Sequence, residues 1–129
     1  MTTDLKMLAW VAGLTALMWI PYILARLQAS GVMKTLSYAA DDDPLPAWAE
    51  LAKRAHRNAI ENLAPFAAVV LAAHALGVSN DKTALWATIY LIARIVHYFG
   101  YLSKVPFVRT GAFAVGWLAT IVIFLQIVA

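Results

Sequence analysis

Apolar residues run along the chain in four long stretches, separated by short polar intervals. The first extends from Leu5 to Leu27 and is interrupted by Lys6, Pro21 and Arg26. The second is polar at its start near Ala47 and turns apolar from Ala59 to Leu76. The third runs from Ala84 to Leu102 with Arg94 and His97 inside it, and the last, Phe107 to Ala129, carries one charge, Arg109, near its start. A bilayer core takes about 20 apolar residues per helix, and each stretch is close to that. The pattern predicts helices over about residues 5–29, 47–76, 82–103 and 107–128 of a single domain spanning residues 1–129.

The first stretch is too long for a signal-peptide core, ends without a small-x-small cleavage site and precedes further spans, so it reads as a retained helix. Pro21 within it and Pro65 within the second each remove a backbone donor and crowd the preceding turn, which predicts kinks. Residues 30–46 read as a polar loop with Gly31, the run Asp41-Asp42-Asp43, Pro44 and Pro46. Gly77 to Lys82 is a short turn rich in helix breakers, and Ser103 to Pro106 makes the third connection. Helices joined this tightly pack antiparallel. The expected fold is all-α, an integral membrane up-down-up-down four-helix bundle.

Composition strengthens the membrane reading. Hydrophobic residues make up 63% of the 129, and only 13% are charged, about half the share in soluble domains. A water-facing surface is hard to build from so few charges. The absence of cysteine excludes disulfide frameworks and thiolate metal sites. Asp41–Asp43 resembles a magnesium-binding triad, but no phosphate-cradling glycine loop accompanies it, so it reads as solvated loop. The net charge of +3 is small and its distribution matters more. Arg26, Lys34, Lys53, Arg54, Arg57, Lys104 and Arg109 gather at the first and third connections, against Lys6 and Lys82 opposite. This asymmetry is a topology signal rather than a nucleic-acid footprint. It predicts that both termini lie on the non-cytoplasmic side.

Ionisable groups inside a bilayer need partners or a purpose. Arg54, Asn58, Glu61 and Pro65 are spaced i, i+4, i+7, i+11, which at about 100° per residue makes one narrow stripe. Arg57 lies beside it and His56 points to the far side. Tyr90, Arg94, His97 and Tyr101 repeat the spacing on the next helix, with Lys104 at the edge. Two polar stripes near one membrane face predict a shared pocket. In it Arg54, Arg57, Arg94, Arg26 and Arg109 face a single in-membrane carboxylate, Glu61. The surplus of guanidinium points to an anionic ligand, because Arg grips carboxylates with a planar fork. Glu61 would then hold an ammonium and Asn58 an amide. The plainer alternatives are that Arg54 and Arg57 snorkel to lipid phosphates, and that Glu61 and Arg94 form an ion pair that only fixes the bundle.

The run Arg54-Ala55-His56-Arg57-Asn58, with Glu61 three residues on, and the pattern Arg94-Ile95-Val96-His97-Tyr98-Phe99-Gly100-Tyr101 resemble the MAPEG family, the membrane-associated proteins in eicosanoid and glutathione metabolism. The likeness is strongest to its microsomal prostaglandin E synthase and glutathione transferase branch and extends over essentially the whole chain. The resemblance implies a homotrimer with glutathione held at cytoplasm-facing subunit interfaces. It implies glutathione contacts from Arg54, Asn58, Glu61, Arg57 and His56 on the second helix. Arg94, His97 and Tyr101 would contribute from the third and Arg26 from the first. Arg109 falls where the family has its thiol-activating Arg, and Thr110 where the prostaglandin branch has Ser. The chain departs from the pattern at Asn62, where several members carry Tyr or Thr, and in the length of the stretch between Tyr101 and Arg109.

The implied activity is a membrane-bound glutathione-dependent transferase, peroxidase or isomerase acting on lipophilic electrophiles. The alternative is a non-catalytic membrane protein of the same fold that binds an anionic thiol or lipid. A small multidrug-type transporter, another four-helix possibility, would need a carboxylate open to cations, whereas Glu61 is surrounded by arginines.

Overall fold

The computed structural model describes residues 2–129, and among them every regular element is a helix. These are α1 (Thr3–Leu17), α2 (Trp19–Ser30), α3 (Val32–Leu36), α4 (Ala47–Ala75), α5 (Asp81–Ser103) and α6 (Val108–Val128). Three helical segments are long and apolar enough to cross a membrane: Thr3–Ser30, Asp81–Ser103 and Val108–Val128. The 29-residue α4 does not reach that apolarity. The reason is local, since Glu50, Lys53, Arg54, Arg57, Asn58, Glu61 and Asn62 fill its first half.

The first apolar stretch divides into α1 and α2 at Met18, whose amide turns to the Thr15 carbonyl. This is the signature of Pro21: its ring crowds the carbonyl of residue i−4, Leu17, and it offers no N–H in return. Across Pro65, in contrast, α4 runs on as one helix. The loop expected over residues 30–46 contains α3, set off by Gly31 at φ +84°.

Side-chain contacts fix how the helices lie. Asn80 donates to Gln126 at 3.1 Å, Gly116 faces Tyr90, and Gly100 faces Val108, so α5 and α6 run antiparallel along their whole length. The Tyr90 hydroxyl donates to the Asn62 carbonyl and Arg94 reaches Asn58, which sets α4 antiparallel to α5. Close approach comes from small residues. Ala49, Ala52, Ala55, Ala59 and Ala73 form the buried face of α4, and Ala112, Gly116 and Ala119 that of α6. At Gly100 a Cβ would lie 2.7 Å from Val108 Cγ1, so any other residue here forces the Val108 side chain to move.

The core joins Val11, Phe66, Val70, Ala87, Tyr90, Ala119 and Ile123, with the Phe66 and Tyr90 rings stacked 3.7 Å apart. Below it Asn80 and Thr83 form a reciprocal cap on α5. The Thr83 hydroxyl also reaches the buried Asp4 carboxylate, tying the start of α1 to α5. Large side chains such as Trp10, Leu17 and Trp117 face outward, the inverse of a soluble surface.

Candidate functional site

The second half of α5 and the first turn of α6 meet α4 at the basic end of the molecule. The turn between α5 and α6 is tight, with Lys104 and Phe107 both in the left-handed region. It brings Arg109 back over Tyr101, the guanidinium carbon 4.8 Å from the ring centroid, within cation–π range. Tyr101 is in turn edge-on to His97, 5.5 Å between centroids. His97 is 2% exposed, and the Arg94 guanidinium lies 3.4 Å from its Nδ1. Arg94 Nη2 also donates to Asn58 Oδ1 at 2.8 Å, while Arg94 Nε is buried without a partner.

Beside Arg94 lies an open cavity of about 290 Å³ lined by Asn58, His97, Tyr101, Arg109, Thr110 and Phe113. A cleft of about 210 Å³ shares Tyr101, Arg109 and Thr110 and extends to Leu51, Lys104 and Phe107 under the α5–α6 turn. No lining residue of either cavity is acidic. The space therefore offers cations, hydroxyls and amide N–H groups to whatever enters.

The remaining residues singled out from the sequence lie elsewhere. Arg54, Arg57 and Glu61 are exposed along the outer face of α4. Among the described residues the single ion pair is Lys34–Asp43, at 2.8 Å, so Glu61 and Arg94 do not pair; Asn58 takes Glu61's place beside Arg94. His56 turns toward α2, its Nδ1 2.8 Å from the Tyr22 hydroxyl. Arg26 is buried and donates to the Asp43 carbonyl. Arg26 and Tyr22, together with Lys53 and Tyr38, line a separate cavity of about 360 Å³.

The sequence profile of the MAPEG family matches residues 7–129, nearly the whole chain. The chain belongs to the MAPEG family. Comparison with the curated proteins and with the solved structures finds no match. Membership places the chain among membrane proteins that generally use glutathione, and its three membrane-capable helices agree with that setting.

Three participants were not singled out for these roles from the sequence. Asp43 anchors the long loop through Lys34, Ser30 and Arg26, and the Lys34 ammonium and Ser30 hydroxyl hold its carboxyl below the usual carboxylate range. Phe113 closes the cavity from α6, three residues beyond Thr110. Asn62 sits one turn beyond Asn58, and its polarity in an apolar segment was the available signal.

Proposed function

We propose that this MAPEG protein is a membrane-bound glutathione-dependent transferase, peroxidase or isomerase acting on lipophilic electrophiles, and that it works as a homotrimer of four-helix subunits with the basic end toward the cytoplasm. The observation that carries the reading is the convergence of Asn58, His97, Tyr101, Arg109 and Thr110 on one cavity free of acidic lining, with Arg94 behind it. Glutathione brings two carboxylates, an ammonium and a thiol. The cavity supplies donors for the anionic groups.

Arg109 is the proposed thiol activator. A thiol with a free pKa of about 8.5 is mostly protonated at neutral pH, and an adjacent cation raises its thiolate fraction. Arg109 is free of any carboxylate partner among the described residues and rests on the Tyr101 ring, so its charge is available to a sulfur. Thr110 would donate its hydroxyl to the same sulfur. The thiolate then attacks an electrophile arriving from the bilayer.

The exposed stripe supports the assembly. Arg54, Arg57 and Glu61 stand on the outside of a helix that the bilayer would otherwise face, where uncompensated charge is costly. In a trimer that face meets a neighbouring subunit, and these groups close over the bound tripeptide, Glu61 on its ammonium and the arginines on its carboxylates. Arg26 and His56, on the α2 side, serve the neighbour's ligand in this arrangement.

The test is ultraviolet difference spectroscopy of bound thiolate together with calorimetry. Wild type is expected to bind glutathione and show a thiolate band. Arg109→Ala is expected to lose the band while retaining binding within about threefold. A thiolate signal unchanged in Arg109→Ala refutes the activating role. Binding without a thiolate in wild type favours the non-catalytic alternative, and no binding refutes the glutathione reading.

A further inference from the structure

Asn58 and Asn62 lie one helical turn apart on α4, and the groups around them leave each amide a single orientation. An arginine side chain has donors only. Arg94 Nη2 is 2.8 Å from Asn58, so the atom it meets must be the Asn58 carbonyl oxygen. The Asn62 amide in turn lies 2.8 Å from the Asn58 backbone carbonyl, an obligatory acceptor, and 3.3 Å from Asn58 Oδ1. Its nitrogen must therefore face Asn58, within reach of both acceptors. Asn58 Oδ1 is held from two sides, and the Asn58 nitrogen has no partner within the chain among the described residues. Asn58 also lines the cavity shared by Tyr101, Arg109 and Thr110.

We infer that Asn62 is a positioning residue: it locks the Asn58 amide so that its two N–H donors face the cavity. The cavity is thereby given one polarity, and Asn58 accepts from no ligand group. What it selects is an acceptor, a peptide carbonyl or carboxylate oxygen of the bound thiol. This rests on the proposed glutathione site for the ligand's identity, although the amide orientation does not. A single asparagine held by Arg94 alone would keep its oxygen inward but swing about that bond. The second donor from Asn62 removes this freedom, and the ordering it supplies is then not charged against binding. Substitution at position 62 leaves the contact with Tyr90 in place, because Tyr90 bonds the Asn62 backbone carbonyl.

The chain has three asparagines, at positions 58, 62 and 80, so protein labelled with nitrogen-15 asparagine gives three side-chain amide pairs that are readily assigned. In ligand-free wild type the Asn62 pair is expected to exchange slowly with water and the Asn58 pair rapidly, with glutathione shifting and protecting the Asn58 pair. Asn62→Leu is expected to weaken glutathione binding about fivefold, the worth of one modest hydrogen bond. In an Asn58→Ala background the same substitution is expected to change affinity less than twofold, since it acts through Asn58. Asn62→Asp, of nearly the same shape but acceptor-only, is expected to capture an Asn58 N–H and so slow that pair's exchange. An Asn58 pair already protected in ligand-free wild type overturns the inference, as do effects of Asn58→Ala and Asn62→Leu that multiply. Glutathione that fails to bind while the ligand-free exchange pattern holds refutes the proposed function and leaves the amide orientation standing.

Discussion

Replacing Arg94 by methionine separates what this residue does for the fold from what it does for a ligand. On the fold, two effects of similar size oppose one another. The bond from Arg94 Nη2 to Asn58 Oδ1 is lost, and a charge-assisted hydrogen bond contributes about 1.5–3 kcal/mol. Asn58 Oδ1 is not orphaned, because Asn62 still donates to it at 3.3 Å. Against this, methionine removes a half-buried guanidinium whose Nε has no partner, a defect costing about 1–3 kcal/mol, and relieves part of its desolvation. Methionine retains most of the aliphatic stem that packs beside Gly116. The expected net change in stability is within about 1 kcal/mol, or a few degrees in Tm for a chain of this length.

On the ligand, no such compensation exists. Arg94 orders Asn58 and adds its positive charge behind the cavity, and the loss of one charge-assisted interaction of about 2–3 kcal/mol corresponds to a glutathione Kd weaker by roughly 30- to 160-fold. Calorimetry and thermal unfolding of the same detergent-solubilised sample read both quantities. A Tm lowered by more than about 10 °C with glutathione affinity within threefold of wild type would show Arg94 to be a bundle-fixing residue and refute this reasoning.

Two further substitutions probe the frame around the site. Gly100→Ala places a methyl 2.7 Å from Val108 Cγ1 and 3.3 Å from the Arg109 nitrogen, so it is expected to cost about 1–3 kcal/mol and lower the Tm. Gly100→Ala combined with Val108→Ala should recover most of that loss, and an unchanged Tm in the single variant would contradict the close crossing of α5 and α6. At the loop, the Asp43 carboxyl is held below the usual carboxylate range, chiefly by the Lys34 ammonium and then by the Ser30 hydroxyl. A depressed carboxyl pKa gives stabilisation that is complete above the unfolded value and lost as the pH falls through the folded one. Hydrogen exchange over residues 31–43, corrected for its intrinsic pH dependence, should therefore show protection that is steady above about pH 5 and falls away below about pH 4. Asp43→Asn should abolish that pH dependence, and a variant that keeps it would show that another group anchors the loop.

Much of this was legible because bilayer-compatible sequences carry a strong one-dimensional signal. The apolar runs containing Trp10, Ile92 and Trp117 announce helices without reference to any contact, and the breakers at Gly77 and Pro106 end them. The division of the first run at Met18 was harder, since a proline states that a helix is disturbed but not whether it is interrupted, and at Pro65 it is not. The site divides along the same line. Helical spacing placed Asn58 and Arg94 on facing stripes, because i, i+4, i+7 is a property of one helix. Which residue of one stripe meets which of the other depends on the vertical register between α4 and α5, and that is set by Ala55 and Ala59 packing and by Tyr90 reaching the Asn62 carbonyl. A register about one turn different would bring Glu61 rather than Asn58 toward Arg94, and an ion pair there would neutralise the charge that lies behind the cavity. The observed register instead gives Arg94 a neutral amide. It leaves Glu61 free on the outer face, where a ligand's ammonium or a second subunit can reach it.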